Sequence, residues 1–132
     1  MDRSGARAAA MKLAYEWEMG GEGGEDTRLG LMEIQVGESE SDYMEKLVTG
    51  VQDNVQALDA VIEKYAVGWK LDRINKVDLS ILRVAVYEMR YLGLPVGVAI
   101  NEAVELARSY STPEAATFVN GLLGNLAREE QK

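Results

Sequence analysis

The chain has 132 residues, a size one hydrophobic core can organise, and 47% of them are apolar. Its 22 acidic against 14 basic side chains leave a net charge of −8, which excludes a strong autonomous nucleic-acid binder, since such binding is chiefly phosphate neutralisation by Lys and Arg. With neither cysteine nor histidine, the chain has no disulfide, thiolate nucleophile or zinc-thiolate set and lacks the usual general base.

No stretch of eighteen uncharged apolar residues occurs, and Arg3 and Arg7 are not followed by the apolar segment of an export leader, so a soluble, cytoplasmic protein is expected. Ala, Leu, Glu, Met, Lys and Arg fill the periodic stretches, which predicts an all-α fold.

The first helix is expected over 4–19, capped by Asp2 or Ser4 and stopped by Gly20 and Gly21, with Ala8, Met11, Ala14 and Tyr15 as its apolar stripe. Arg3 and Arg7 lie one turn apart, and Lys12 projects about half a turn away from Arg3. The acidic, glycine-rich segment 20–26 reads as a loop. It lacks the lysine of a phosphate-binding loop, and its carboxylates would repel the ligand. Segment 29–36 is a short helix or an ordered connection.

Ser39 and Ser41 open the next helical stretch, where Tyr43, Leu47, Val51, Val55, Leu58 and Ile62 keep a three- to four-residue spacing. Gly50 inside that stripe most simply lets a neighbouring helix approach, and the stretch runs on as one helix or breaks into two near Asn54. Trp69, Leu71 and Ile74 form a short amphipathic turn or helix.

Asp78 starts a further helix, carrying Ile81, Leu82, Ala85, Val86 and Met89 and ending near Gly93 and Pro95. The next runs through Val98, Ala103 and Leu106 to about Tyr110. Ser111-Thr112-Pro113-Glu114 then joins a hydroxyl cap, a first-turn proline and a glutamate three residues on, a strong helix-start signal. Ala116, Phe118, Val119, Leu122, Leu123 and Leu126 follow, before a polar tail over 128–132.

Asn101, Glu102 and Asn120 sit within these apolar patterns, and a buried amide or carboxylate is costly without a partner, so all three are expected chiefly to brace helices. Glu88, Glu102 and Glu105 do not make a di-iron bundle site, which needs Glu-x-x-His pairs; pairing such as Glu105 with Arg108 is the expectation. Asp78, Ser80 and Arg83 cannot form a nucleophilic triad, because no group there accepts the serine proton. Neither a catalytic site nor a cofactor or metal is expected. What remains is a binding surface, with Arg3, Arg7, Tyr15, Glu114, Phe118 and the acidic start of the Asp78 helix as exposed candidates. Tyr15 and Phe118 are either base-stacking positions or core.

The runs VDLSILRVAVYEM (77–89), PVGVAINEAVELA (95–107) and FVNGLLG (118–124) resemble, in order and spacing, the NusB family of transcription antitermination factors. Tyr15-Glu16-Trp17-Glu18 resembles that family's first-helix segment, and the middle helices resemble its own through Asp42-Tyr43, Gly50-Val51 and Leu58-Asp59. The resemblance implies two packed helical bundles of about seven helices, an N-terminal half over 1–68 and a C-terminal bundle over 69–132. It also implies a non-enzymatic adaptor that pairs with the small-subunit ribosomal protein NusE, binds boxA RNA and supports ribosomal RNA transcription by the RNA polymerase elongation complex.

Carried over by position, Arg3, Arg7, Tyr15, Glu114 and Phe118 fall on the RNA-binding surface, and Asp72 and Asp78 fall on the partner-binding surface. Ser4 and Gly5 stand where the family's arm commonly has further arginines, so RNA recognition is expected to need the basic partner. The alternatives are a protein-interaction module of the same fold with weak or lost RNA binding, and the accessory domain of a ribosomal RNA methyltransferase. Self-association as a homodimer through Met11, Tyr15 and Trp17 stays open on the sequence.

Overall fold

The computed structural model describes residues 3–20, 38–68 and 70–130. Among these, the chain forms α1 (Arg3–Glu18), α2 (Glu38–Asp53), α3 (Val55–Tyr65), a 3-10 turn (Leu71–Arg73), α4 (Lys76–Tyr91), α5 (Val96–Tyr110) and α6 (Pro113–Glu130). The all-α expectation is met, with six helices close to the seven anticipated. The cap at Asp2, most of the acidic loop, segment 29–36, the Ser39 side chain, Trp69 and the end of the tail lie outside the described residues.

The helix boundaries follow from local chemistry. Gly20 adopts φ +83° and its N–H donates to the Trp17 carbonyl, closing α1. The long apolar stripe does break at Asn54: the Asn54 side-chain amide donates to the Gly50 carbonyl at 2.8 Å, and α3 starts one residue later. For α4 the cap is Asn75, whose Oδ1 accepts from the Val77 N–H at 2.8 Å, so Asp78 sits inside the first turn instead of opening the helix. Its far end turns at Gly93, φ +65°, where the Leu94 N–H reaches back to the Glu88 carbonyl. Thr112 is the hydroxyl that caps α6, accepting from the Ala115 N–H at 3.0 Å.

Helix α4 is the hub. It packs against α1, α2, α3, α5 and α6, and its residues 78–88 are all buried. Around it α1 lies on α2, and α5 pairs with α6. Leu47, Val51, Leu58, Ile62, Leu82, Leu123 and Leu126 belong to one continuous core, each at most 1% exposed. At about 25 cal/mol per Å² of apolar surface removed from water, that burial is the main force joining the helices. Gly50 has the role its position implied: a Cβ there would lie 2.0 Å from Cζ of Tyr87, so α2 and α4 meet with a tyrosine ring against bare backbone.

Two ion-pair knots are set into this core. Arg83, 3% exposed, grips Asp59 with both arms of its guanidinium at 2.8 Å and reaches Glu18 at 2.7 Å, joining α4 to α3 and α1. Arg7, 4% exposed, donates to Glu88, which also accepts from the Tyr43 hydroxyl, joining α1, α4 and α2. Each guanidinium would lose its charge more readily through burial alone, but the facing carboxylates outweigh that and raise both pKa values.

Candidate functional site

Asp78, Glu114 and Phe118, which lie far apart in sequence, meet in one cleft of about 340 Å³. One wall is the 3-10 turn and the start of α4, with Arg73, Asn75 and Asp78. The other is the α5–α6 connection and the first turns of α6, with Ser111, Glu114 and Phe118. Phe118 is half-buried against the core and Glu114 is exposed. Asp78 is buried, so it does not lie on the open acidic face expected of it. Its Oδ1 has no hydrogen-bond donor among the described residues. A buried carboxylate oxygen in that state costs about 1–3 kcal/mol. An aromatic ring flanked by carboxylate acceptors suits a splayed-out nucleobase, whose faces stack and whose exocyclic amines donate. It suits a phosphate poorly.

Tyr15 lies in a second cleft, of about 270 Å³, with Met11, Lys12, Glu16, Val77 and Tyr110. The two clefts share no lining residue, but consecutive residues line them: Val77 and Asp78 on α4, and Tyr110 and Ser111 at the end of α5. The Lys12 ammonium lies 4.7 Å from the Tyr110 ring centroid, and Tyr110 is 43% exposed. Neither Lys12 nor Tyr110 stood out in the sequence. Lys12 was off the arginine line, and Tyr110 read as a helix end, although an aromatic immediately before a helix-start signal is a cue. Met11 is 2% exposed and belongs to the core, which removes it from any self-association surface; Tyr15 and Trp17 are half-buried.

The two arginines of the expected arm part company. Arg3 is exposed, its guanidinium 3.8 Å from the Tyr43 ring centroid. Arg7 is not an exposed arm residue: its side chain points into the knot with Glu88, and its Nη1 lies 3.7 Å from Glu102. Glu102 does brace, also accepting from the Ser4 hydroxyl at 2.9 Å. Asn101 and Asn120, expected as buried braces, are exposed.

Asp72 is exposed on a broad groove of about 710 Å³ lined also by Glu18, Asp59 and Glu63 and by the cations Lys70, Lys76 and Arg83. Burial pushes Glu18 up, but the hydrogen bond and charge of Arg83, with help from Lys76, bring its pKa below the ordinary value, so it stays ionised. Arg83 already pairs with Glu18 and Asp59, which leaves Glu63 and Asp72 as the carboxylates of this groove without a role in the knot.

A family model described as "NusB family" matches residues 4–128. The transcription antitermination protein NusB of Acetivibrio thermocellus is 44% identical over 130 residues, covering 97% of this chain and 90% of that protein. Among solved structures, one described as a plectonemic RNA supercoil contains a chain that superposes with TM-score 0.89 at 29% identity, covering 98% of this chain and 96% of that one. Another, of antitermination factors NusB and NusE in complex with dsRNA, gives TM-score 0.85 at 28% identity, covering 96% of each chain.

Proposed function

Because this chain belongs to the NusB family of transcription antitermination proteins, we propose that it is a cytoplasmic, non-catalytic adaptor that joins the ribosomal protein NusE to boxA RNA and so helps RNA polymerase transcribe ribosomal RNA. The observation that carries this reading is its likeness, along nearly its whole length, to a NusB solved together with NusE and dsRNA. The cleft of Asp78, Glu114 and Phe118 takes an RNA base, with Tyr15 in the second cleft and Arg3 on the same protein's surface as a phosphate contact. The exposed carboxylates Asp72 and Glu63 of the broad groove take the basic ribosomal protein. Arg7 serves the fold.

A net charge of −8 gives the division of labour. Each phosphate contact on a single strand adds about 0.7 to the salt slope of binding, so a chain this acidic binds RNA weakly alone, and the partner supplies the missing positive charge. A salt titration of boxA binding, with and without NusE, tests this. Tight binding that appears only with the partner supports the adaptor; tight binding by the lone chain overturns the division of labour. Partner binding without RNA binding in either arm would leave a protein-interaction module.

A further inference from the structure

The α5–α6 connection borders both clefts: Ser111 and Thr112 line the one holding Phe118, and Tyr110 lines the one holding Lys12. We infer that an RNA strand with one base against Phe118 continues over Ser111 and Thr112 to Tyr110, where a second base stacks on the tyrosine ring and Lys12 meets the neighbouring phosphate. This rests on the RNA-binding reading above and extends it to two residues outside the matched site positions.

Three observations support it. Among the described residues, Tyr110 is one of five large apolar side chains left substantially exposed, at 43%. It ends α5 where the chain turns, and the Ser111 N–H donates to the Ala107 carbonyl, so the backbone that presents the ring is anchored. The exposed ring also comes with a cation. Lys12 projects from α1 to within 4.7 Å of its centroid, and its flexible stem lets the ammonium move from the ring to a phosphate as a base takes its place. Lys12 beside the Tyr110 ring and Arg73 in the first cleft give each cleft one cation, on a chain that is acidic in sum. Aromatic rings interleaved with cations are how proteins hold single strands, the rings taking base faces and the cations tracking the backbone. A protein partner would have no need of that alternation. Continuity with the Phe118 cleft therefore favours RNA as the occupant.

The test uses the complex of the full chain with NusE and measures boxA RNA affinity over a salt series for Tyr110→Leu, Tyr110→Phe, Lys12→Gln and Phe118→Leu. Tyr110→Leu is expected to weaken RNA binding by about ten- to a hundredfold, the range of one base–aromatic stack, while Tyr110→Phe retains it and partner affinity stays unchanged in both. Lys12→Gln is expected to lower the salt slope by about 0.7. Wild-type RNA affinity in Tyr110→Leu with a loss in Phe118→Leu overturns this inference and leaves the broader reading standing. Wild-type affinity in both overturns both. A Tyr110→Leu defect in partner binding with RNA affinity intact also overturns it and assigns the Tyr110 cleft to protein. Unfolding curves separate a binding loss from a folding loss, and Tyr110→Phe keeps the ring in place as the internal control.

Discussion

Arg7 and Glu88 face each other 81 residues apart in sequence, the guanidinium Nε donating to both carboxylate oxygens at 2.9 and 2.8 Å, with only 5% and 2% of the two side chains exposed. A surface arginine adds little to stability, but removing one partner of a buried pair strands the other charge at a cost of about 3–5 kcal/mol. Arg7→Ala is therefore expected to lower unfolding free energy by about that amount in denaturant titrations. Arg3→Ala, which removes an exposed contact with the Tyr43 ring, is expected to cost about 1 kcal/mol or less. Reversing both arginines together would confound folding with RNA contact, so Arg3 alone is the informative charge reversal.

Gly50 gives a prediction in which two effects oppose. Replacing a mid-helix glycine by alanine gains about 1 kcal/mol in helix propensity. Here the new methyl would lie 2.0–2.4 Å from the ring of Tyr87, which is itself stacked on Tyr91 at 5.2 Å. Overpacking of this kind costs about 1–3 kcal/mol, so Gly50→Ala is expected to destabilise, and to stabilise once Tyr87 is shortened to Val. Paired thermal melts in the two backgrounds check the reversal of sign.

Acid should weaken the Arg83 knot. The folded pKa of Glu18 lies below its ordinary value of 4.5, so the unfolded chain takes up this proton first as pH falls. The contribution of Glu18 is fully present well above pH 4.5 and disappears as pH drops through the folded pKa. Glu18→Gln is expected to flatten the pH dependence of stability below about pH 5 and leave its shape near neutrality unchanged. An equally steep acid limb in Glu18→Gln would rule out this residue as a source.

Asp78 carries a prediction about binding. Its Oδ1 lacks a donor among the described residues, while its place in the first turn of α4 gives its charge a favourable interaction with the helix dipole of about 0.3–1 kcal/mol. Asp78→Asn should then change stability by about 1 kcal/mol or less, yet weaken the RNA–NusE complex about tenfold or more through loss of a charge-assisted hydrogen bond. Calorimetry on the assembled complex reads the second quantity and a denaturant titration of the lone chain reads the first.

The elements were legible in the sequence because apolar spacing, glycine stops and the Ser111-Thr112-Pro113 start are local signals, and Gly50 was read for the close approach it makes. The pairing of charges was not. Arg83 reaches Asp59 across 24 residues and Glu18 across 65, and nothing near any of them marks it as buried. Arg7 looked like an arm residue for the same reason. Asn101 and Asn120 misled in the other direction: an apolar stripe covers only part of a helix, and a polar residue next to it in sequence can lie just past its edge. In the candidate site, the residues named by family resemblance assemble around the clefts except for the arginines and Asp72, while Tyr110 and Lys12 became visible only when α5 and α1 were seen side by side.

The Arg7–Glu88 knot also sets an order of events during synthesis. Helix α1 leaves the ribosome first, but the carboxylate that must neutralise Arg7 is translated 81 residues later, roughly 4–16 seconds afterwards at about 5–20 residues per second. Until then α1 can pack on α2 only with the Arg7 cation uncompensated, because α2 brings Tyr43 to the knot but not its carboxylate. The first helix made is thus among the last to be fixed, and nascent chains shorter than about ninety residues should leave α1 open to proteolysis or chaperone capture.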